Sequence, residues 1–321
     1  MTRLLLRRLG ASLLLLYIVL TTTFFLIHLA PGDPMHLVES ERTPRLVREN
    51  LERIYGLDRP LPEQYARWLG AAVRGEWGYS FTRSRQVTEV IRDALGPTAI
   101  LAFAALAVEY SAGLLLGIAA ARRPGSLLDH TIRIGSLVLA SQPVFWLGLM
   151  AVLLFSVIWR VLPASQMRSY EGEDLGSSWQ LLDLARHLLL PALVLGIARA
   201  GGITRFVRGS LLEQLGREHV RAARARGLSE TRVIWVHALR NAMVPLIQLF
   251  ALSLPSLLSG ALVTEVVFSW PGLGRVTYDA VLSRDYPLVL ATTALTAALV
   301  LLGNLLADLL HAAADPRVRH A

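Results

Sequence analysis

The stretch VRAARARGLSETRVIWVHALRNAMVP, from Val220 to Pro245, separates long apolar runs and carries five arginines against one acid. Alanines and a glycine are interleaved with these arginines. Arg217, Arg221 and Arg224 follow the spacing i, i+4, i+7, which places side chains on one face of a helix. The segment therefore predicts a short basic helix between two hydrophobic parts of the chain.

A turn and a second helix are predicted directly after this basic helix. Gly227 stands where a left-handed C-terminal cap would end the first helix. Ser229 is placed to cap the next helix, with Glu230 in its first turn near the positive end of the dipole. Opposite the arginines, His219, Ala222 and Ala223 form a face of mostly small side chains that another backbone could approach closely. We call residues 217–243 the elbow.

Composition indicates a membrane protein that crosses the bilayer several times. The chain has 321 residues, of which 54% are hydrophobic and cluster into long runs. The absence of cysteine excludes disulfides and thiolate metal sites. All 32 basic residues are arginine, and without a lysine there is no phosphate-binding P-loop. If ATP drives this protein, another chain hydrolyses it.

Six apolar stretches are long enough to cross the hydrocarbon core, which takes about 20 helical residues. They lie at 9–30, 98–121, 133–157, 187–205, 244–267 and 287–310. The fourth is the weakest, since it contains Pro191, Gly196 and Arg199. Arginine is concentrated at the N-terminus, in 122–133 and in 199–240, which places both termini in the cytoplasm by the positive-inside rule. The net charge of +8 reflects these loops, and no nucleic-acid partner is expected.

Ionisable side chains inside spans are costly and are therefore functional candidates. Glu109 lies near the middle of the second span and Arg199 within the fourth. Glu109 is either neutralised by a neighbouring helix or lines a pathway. Glu265 and Asp308, near the ends of the fifth and sixth spans, are expected at the membrane interface. The sequence has no HExxH metal motif and no glycine-flanked turn that would place a catalytic nucleophile. Neither an enzyme nor a metal site is therefore predicted.

Three interpretations of the elbow remain open on residue chemistry alone. It could be a solvated positive-inside loop without a partner. It could be a DNA-binding helix-turn-helix, which is disfavoured because spans tether both ends close to the bilayer. It could also be a docking element through which a cytoplasmic partner moves the spans.

The elbow resembles the EAA-type loop of permease subunits in ABC importers, in the form found in the dipeptide/oligopeptide/nickel group. RAARARGL matches the Ala-Ala-x-x-x-Gly core at Ala222, Ala223 and Gly227. HALRNAMVP, from His237 to Pro245, matches the tail of that loop. Further segments that resemble this group lie at 28–34, 55–81, 141–149, 187–196, 266–275, 284–289 and 315–319.

The resemblance implies an all-α integral membrane protein of the bacterial inner membrane, with the MetI-like fold of type I ABC importers. Such a chain forms half of the translocation pathway for dipeptides or oligopeptides. Its expected partners are membrane lipid, a second similar permease, two cytoplasmic ATPases (or one fused) and an extracytoplasmic solute-binding protein. ATP and magnesium belong to the ATPases, and no cofactor is expected on this chain.

Functional residues follow from the resemblance by position. Residues expected to contact the ATPase are Glu218, Arg221, Ala222, Ala223, Gly227, Leu228 and Ser229. Residues expected to receive the binding protein are Pro271, Gly272, Gly274 and Arg275. Arg221 stands where the general pattern has a glutamate, so the contact made by that glutamate is not assigned to it.

The expected organisation has a tip and first helix at 1–30, an extracytoplasmic segment at 31–97, a permease domain at 94–311 and a tail at 312–321. The permease domain includes a coupling loop at 206–243. Nickel or glutathione is the alternative cargo for the same architecture. A self-sufficient proton-coupled carrier using Glu109 and Asp308, and a purely structural membrane scaffold, are the rivals from other classes.

Overall fold

The computed structural model describes residues 2–29, 59–169, 177–243, 246, 249, 250, 253 and 261–314, with side chains described from 8 onward and up to 307. This part of the chain is helical, and its only β pairing is an isolated bridge between Tyr79 and Gln86. The α-helices are α1 Thr2–Leu29, α2 Leu61–Val73, α3 Val87–Arg122, α4 Leu127–Ser141, α5 Val144–Ala151, α6 Ser177–Leu215, α7 Glu218–Ala225, α8 Glu230–Arg232, α9 Leu239–Ala242, α10 Leu262–Val267, α11 Leu273–Leu282 and α12 Tyr286–Ala314. Two π-helical segments, Val152–Ile158 and Val233–Ala238, continue α5 and α8.

Four helices in the described part are long and apolar enough to cross a membrane, namely Arg8–Leu29, Val87–Arg122, Ser177–Leu215 and Tyr286–Ala307. They confirm the first, second, fourth and sixth predicted spans. The fifth, 244–267, lies largely outside the described residues; its end is helical as α10.

The third predicted span is broken rather than straight. Helix α4 and the helical run Val144–Ile158 meet at an angle of 102°. The break falls at Gln142, whose backbone is extended with ψ 141°, and Pro143 follows it. A proline disfavours helical backbone in the residue before it and has no N–H to donate. The third predicted span, 133–157, thus consists of two apolar helical runs separated by a break rather than of one straight helix.

The chain divides into two compact units, one formed by residues 1–96 and 272–301 and the other by 97–271 and 302–321. In the first unit, Asp285 is completely buried just before α12. Its Oδ2 accepts hydrogen bonds from Ser80 Oγ at 2.5 Å and from the backbone N and Oγ1 of Thr82 at 3.0 and 2.9 Å. Its Oδ1 accepts a longer bond of 3.3 Å from the Leu288 amide in the first turn of α12. This carboxylate thus ties the loop before α3 to the start of α12.

Aromatic rings join α2 to α1 in the same unit. The ring of Phe24 lies 5.3 Å from that of Tyr65 and 5.4 Å from that of Trp68, measured between centroids. The Tyr65 hydroxyl also shares a 2.6 Å hydrogen bond with Thr21. Helix α2 has no fully buried residue, so these rings provide its attachment.

The second unit is built on a close approach of α3 and α6. A Cβ on Gly113 would lie 2.6 Å from side-chain atoms of Ile203, and a Cβ on Gly196 would lie 2.6 Å from the Cβ of Val108. Neither site has room for a side chain, so glycine sets the distance between the helices. Helix α6 continues through Pro191, which is buried against its neighbours.

Among the described residues of this unit, two acids are completely buried. Glu265 on α10 accepts a hydrogen bond from Thr98 Oγ1 at 2.8 Å, and its position at the membrane interface stays a prediction. Asp129 on α4 accepts two hydrogen bonds from Arg208 on α6, at 2.6 and 2.7 Å, and a third from the Gly125 amide at 2.9 Å. Their partners are distant in sequence, which explains why local patterns do not reveal them. Asp308 lies outside the described side chains.

Candidate functional site

The first helix of the elbow is anchored in the core of the second unit. It spans Glu218–Ala225, with Arg217 as its N-cap, and is slightly shorter than predicted. Val220 and Ala223 are buried in a cluster that includes Val233 and Ile234. The predicted small face is therefore divided, because Ala223 faces the core of this chain while Ala222 is exposed. Only Ala222 of this pair remains available to another protein.

The outward face of α7 combines small and charged side chains. Of the residues expected to contact an ATPase, Leu228 is half-buried and Ala223 is buried. Those that are exposed are Glu218, Arg221, Ala222, Gly227 and Ser229. The arrangement presents a short, firmly seated helix end, which suits contact with a partner. The contact itself stays a prediction.

Gly227 adopts the left-handed backbone that the sequence predicts, with φ +77°. The turn is closed by hydrogen bonds from the Gly227 amide to the Arg224 carbonyl at 2.9 Å and from the Leu228 amide to the Ala223 carbonyl at 3.4 Å. A Cβ on Gly227 would meet nothing within 4 Å. Glycine is required here by backbone conformation rather than by space.

An ion pair fixes the second helix against the first. Arg224 donates to both carboxylate oxygens of Glu230, at 2.6 and 3.1 Å, across the Gly227 turn. This hydrogen-bonded guanidinium lowers the pKa of Glu230 below its ordinary value. Ser229 occupies the N-cap position, but its side chain makes no capping hydrogen bond to the described residues. The predicted N-cap position of Ser229 is thus confirmed without the side-chain hydrogen bond, and the Arg224–Glu230 pair joins the two helices across the turn.

A further contact closes the elbow from its other end. The Asn241 side-chain nitrogen lies 3.2 Å from Nε2 of His219, joining α9 to α7. Sequence reasoning did not single out this pair, although Asn241 belongs to the quoted HALRNA motif. The buried contacts of Val220 and Ala223, the Arg224–Glu230 ion pair and this hydrogen bond together connect the helices of the elbow to one another. We call this arrangement the braced elbow.

Glu109, the pathway candidate, is buried and faces Arg199. The residue is 4% exposed, and its Oε2 lies 3.7 Å from Nε of Arg199 on α6. This geometry agrees with neutralisation by a neighbouring helix. Oε2 makes no hydrogen bond to any described residue, so its contact with Arg199 is electrostatic. Its role in a pathway remains a prediction.

The predicted binding-protein contacts differ in accessibility. Pro271 is exposed and Gly272, at the N-cap of α11, is buried. Gly274 and Arg275 are half-buried in the first turn of that helix. Their docking role stays a prediction.

Comparison with known proteins identifies the family. The profile described as "Binding-protein-dependent transport system inner membrane component" matches residues 113–320, and the corresponding N-terminal profile matches residues 1–102. The chain belongs to this family. It is accordingly a multi-pass protein of the bacterial cytoplasmic membrane.

Curated relatives extend over the whole chain. The oligopeptide transport system permease protein AppB of Bacillus subtilis is 36% identical over 315 residues, covering 98% of both chains. The di/tripeptide transport system permease protein DppB of Pseudomonas aeruginosa is 40% identical over 329 residues, again covering 98% of both. The dipeptide transport system permease protein DppB of Escherichia coli K12 is 37% identical over 338 residues, covering 100% of this chain and 99% of its own.

A solved structure shares the fold. The MetNI methionine ABC transporter, in an inward-facing conformation, has a chain that is 20% identical, with a TM-score of 0.51 over 72% of this chain and 96% of its own. This likeness confirms the predicted MetI-like permease fold.

Proposed function

We propose that this chain is the permease subunit of an ATP-driven ABC importer and forms half of the pathway for dipeptides or oligopeptides. Full-length similarity to permease proteins named for dipeptide, di/tripeptide and oligopeptide transport supports this cargo class. The proposed partners are a second permease, two ATPases and an extracytoplasmic binding protein. Since this chain has no lysine, the phosphate-binding P-loop and hence ATP hydrolysis belong to other chains.

The braced elbow is the observation that carries the coupling proposal. The exposed end of α7 around Ala222 and Gly227 seats in a groove on an ATPase. Val220 and Ala223 share a core cluster with Ile203 on α6, so a push on α7 reaches a membrane-spanning helix. Closure of the ATPase pair then moves the spans as a rigid body and alternates access to the pathway.

Gentle affinity purification from native membranes, with mass spectrometry of the recovered proteins, tests the assembly. We expect a second permease and P-loop ATPases. The recovered complex is then placed in vesicles, and dipeptide uptake is measured with ATP, without ATP and with an uncoupler. Uptake that requires ATP and resists the uncoupler supports the proposal.

The same vesicles separate the alternatives. Uptake by this chain alone that collapses with the uncoupler would favour the proton-coupled carrier. ATP-driven uptake of nickel or glutathione, with no peptide uptake, would retain the architecture and replace the cargo. No uptake in any combination would favour the structural scaffold.

A further inference from the structure

A polar cavity of the second unit lies between the start of α6 and the loop that follows the helical run ending at Ile158. Its volume is about 280 Å³. The residues that line it include Arg160, Pro163, Ser169, Asp183, Arg186 and His187. None of the residues assigned to the elbow, to the pathway or to binding-protein docking belongs to this lining.

The buried side of the cavity is fixed by polar contacts. Asp183 accepts hydrogen bonds from the backbone N and the Oγ of Ser169, at 2.8 and 2.7 Å. Nδ1 of His187, a buried residue, lies 2.9 Å from the Asp183 carbonyl oxygen and 3.3 Å from its Oδ1. These contacts tie the loop to α6, so this chain shapes the cavity by itself.

Two arginines stand at the open side of the cavity. Arg160 and Arg186 are both exposed. Neither has an ion pair or a side-chain hydrogen bond within the part of the chain that the structure describes. Together with Asp183, and counting His187 as neutral, they give the lining one net positive charge. The cavity therefore offers two guanidinium groups to an anion.

The backbone at Arg160 is unusual for a residue with a side chain. Its φ is 53°, in the left-handed region, directly after the π-helical segment ends. The amides of Val161 and Leu162 bond back to the Phe155 carbonyl, at 2.9 and 3.3 Å. Glycine is the usual residue at such a helix end, because a Cβ is strained there. Ending the helix does not require an arginine, and strained backbone of this kind clusters at ligand sites.

The surroundings of the cavity place it at the membrane interface. Arg160 follows the third predicted span by three residues, and Arg186 immediately precedes the fourth. Trp159 and Trp179, on the two chain segments that form the cavity, are exposed. Tryptophan is enriched at the level of the lipid headgroups, and arginines at helix ends reach towards the same level. An anion at this depth is supplied by the bilayer itself.

We infer that this cavity binds the phosphodiester headgroup of an anionic phospholipid between Arg160 and Arg186. The planar fork of arginine matches phosphate oxygens, and one net positive charge matches the single negative charge of a phosphodiester. A zwitterionic headgroup also carries an ammonium, which two arginines disfavour. The volume lies just below the range of about 300–1,000 Å³ for whole small-molecule sites, so it suits a headgroup. The acyl chains then lie outside, along exposed apolar side chains such as Val161 and Leu181.

The full-length chain, purified in detergent with its co-purifying partners and stripped of lipid, tests this assignment. Phosphatidylglycerol, phosphatidylcholine or inorganic phosphate is added. Bound lipid is counted by native mass spectrometry, and the midpoint of thermal unfolding is measured in parallel. Capture of the extracytoplasmic binding protein by the same samples is also recorded.

The variants are chosen to separate binding from folding. Arg160→Gly removes the guanidinium and places glycine where the backbone is left-handed, so folding is retained. Arg186→Gln removes the second guanidinium on α6. Arg284→Gly is the matched control, because Arg284 is also exposed with φ 53° but does not line the cavity.

Wild-type protein is expected to bind phosphatidylglycerol more tightly than phosphatidylcholine and to unfold at a higher temperature when it is bound. Arg160→Gly and Arg186→Gln should each weaken phosphatidylglycerol binding by about fivefold or more, with an unchanged midpoint in the absence of lipid. Arg284→Gly should bind the lipid as the wild type does.

Several results would overturn the inference. Phosphatidylglycerol affinity could be unchanged in both cavity variants, or it could fall equally in Arg284→Gly. Phosphatidylcholine could bind the wild type as tightly as phosphatidylglycerol. Inorganic phosphate alone could give the full stabilisation, which would indicate a site for soluble anions. The cavity variants could also lose capture of the binding protein while keeping the lipid, which would assign the arginines to protein docking.

Discussion

Replacement of Gly227 by valine is the sharpest test of the elbow. The residue has φ +77°, a conformation that side chains with a Cβ rarely adopt. Because a Cβ there would meet nothing within 4 Å, the variant introduces no steric clash with other elements. The whole effect is therefore expected to come from the backbone of the turn.

The magnitude follows from that geometry. A β-branched residue held in the left-handed region costs about 1–3 kcal/mol. A change of one or two kcal/mol shifts a conformational ratio by about 5–30-fold. Val220 and Ala223 stay buried on the other face of α7, so this change acts on the turn and on the Arg224–Glu230 pair across it. Membrane insertion, which depends on the apolar spans, is expected to be unaffected.

The assay compares membrane level, complex recovery and ATP-driven dipeptide uptake in three variants. Gly227→Val should be inserted normally and lose uptake. Gly227→Asn should retain much of it, since asparagine tolerates left-handed backbone better than other side chains. Gly209→Val is the matched control, because Gly209 is exposed on α6 and also has nothing within 4 Å of an added Cβ. Wild-type uptake in Gly227→Val would refute the requirement for a left-handed cap.

Three further experiments test the packing and electrostatics of the second unit by thermal unfolding of the purified chain. Gly113→Leu places a side chain where a Cβ already lies 2.6 Å from Ile203, and should lower stability by about 1–3 kcal/mol; an unchanged midpoint would contradict the close approach. Asp129→Ala leaves Arg208 without its carboxylate and should lower the midpoint of thermal unfolding, against little change for Arg205→Gln at an exposed arginine of α6. For Arg224 and Glu230, a double-mutant cycle should give about 1 kcal/mol or less, since both side chains are substantially exposed. The pKa of Glu230 is lower in the folded state, so this coupling is present above the unfolded pKa and is lost as the pH falls below about 4.5 and through the folded value. A coupling that grew on acidification would contradict the sign.

Hydropathy identifies the described long spans because an apolar run of about 20 residues is a local property of the sequence. Helices α3, α6 and α12 are found in this way. The break at Gln142–Pro143 is hidden by the same measure, since the runs on both sides of it are apolar. A proline inside a span can be accommodated, as Pro191 is in α6, or can end the helix, as Pro143 does. Whether the helix continues or ends at such a proline depends on tertiary packing, which the local sequence pattern does not predict.

The buried acids show that local sequence patterns do not predict side-chain contacts either. Glu265 accepts a hydrogen bond from Thr98, which lies 167 residues away in the sequence. Asp129 accepts one from Arg208, which lies 79 residues away. A carboxylate with such a partner can be completely buried, whereas without one it would have to remain near water. Sequence spacing alone gives no means to pair them. For Glu109 and Arg199 the rule that charges inside spans are functional candidates selected both residues, but not their contact.

The elbow shows which part of a docking surface can be predicted. Gly227 is predictable because a helix end that needs left-handed backbone leaves a local signature. The accessible face is not, because Ala222 and Ala223 have the same composition and differ only in orientation. The contacts of Val220 with the following π-helical segment rotate Ala223 inward and leave Ala222 and Arg221 outward. A glutamate at position 221 would project outward in the same way. Arginine in place of the family's glutamate at position 221 therefore changes the charge on the exposed face of α7. It does not alter the buried contacts that orient this helix.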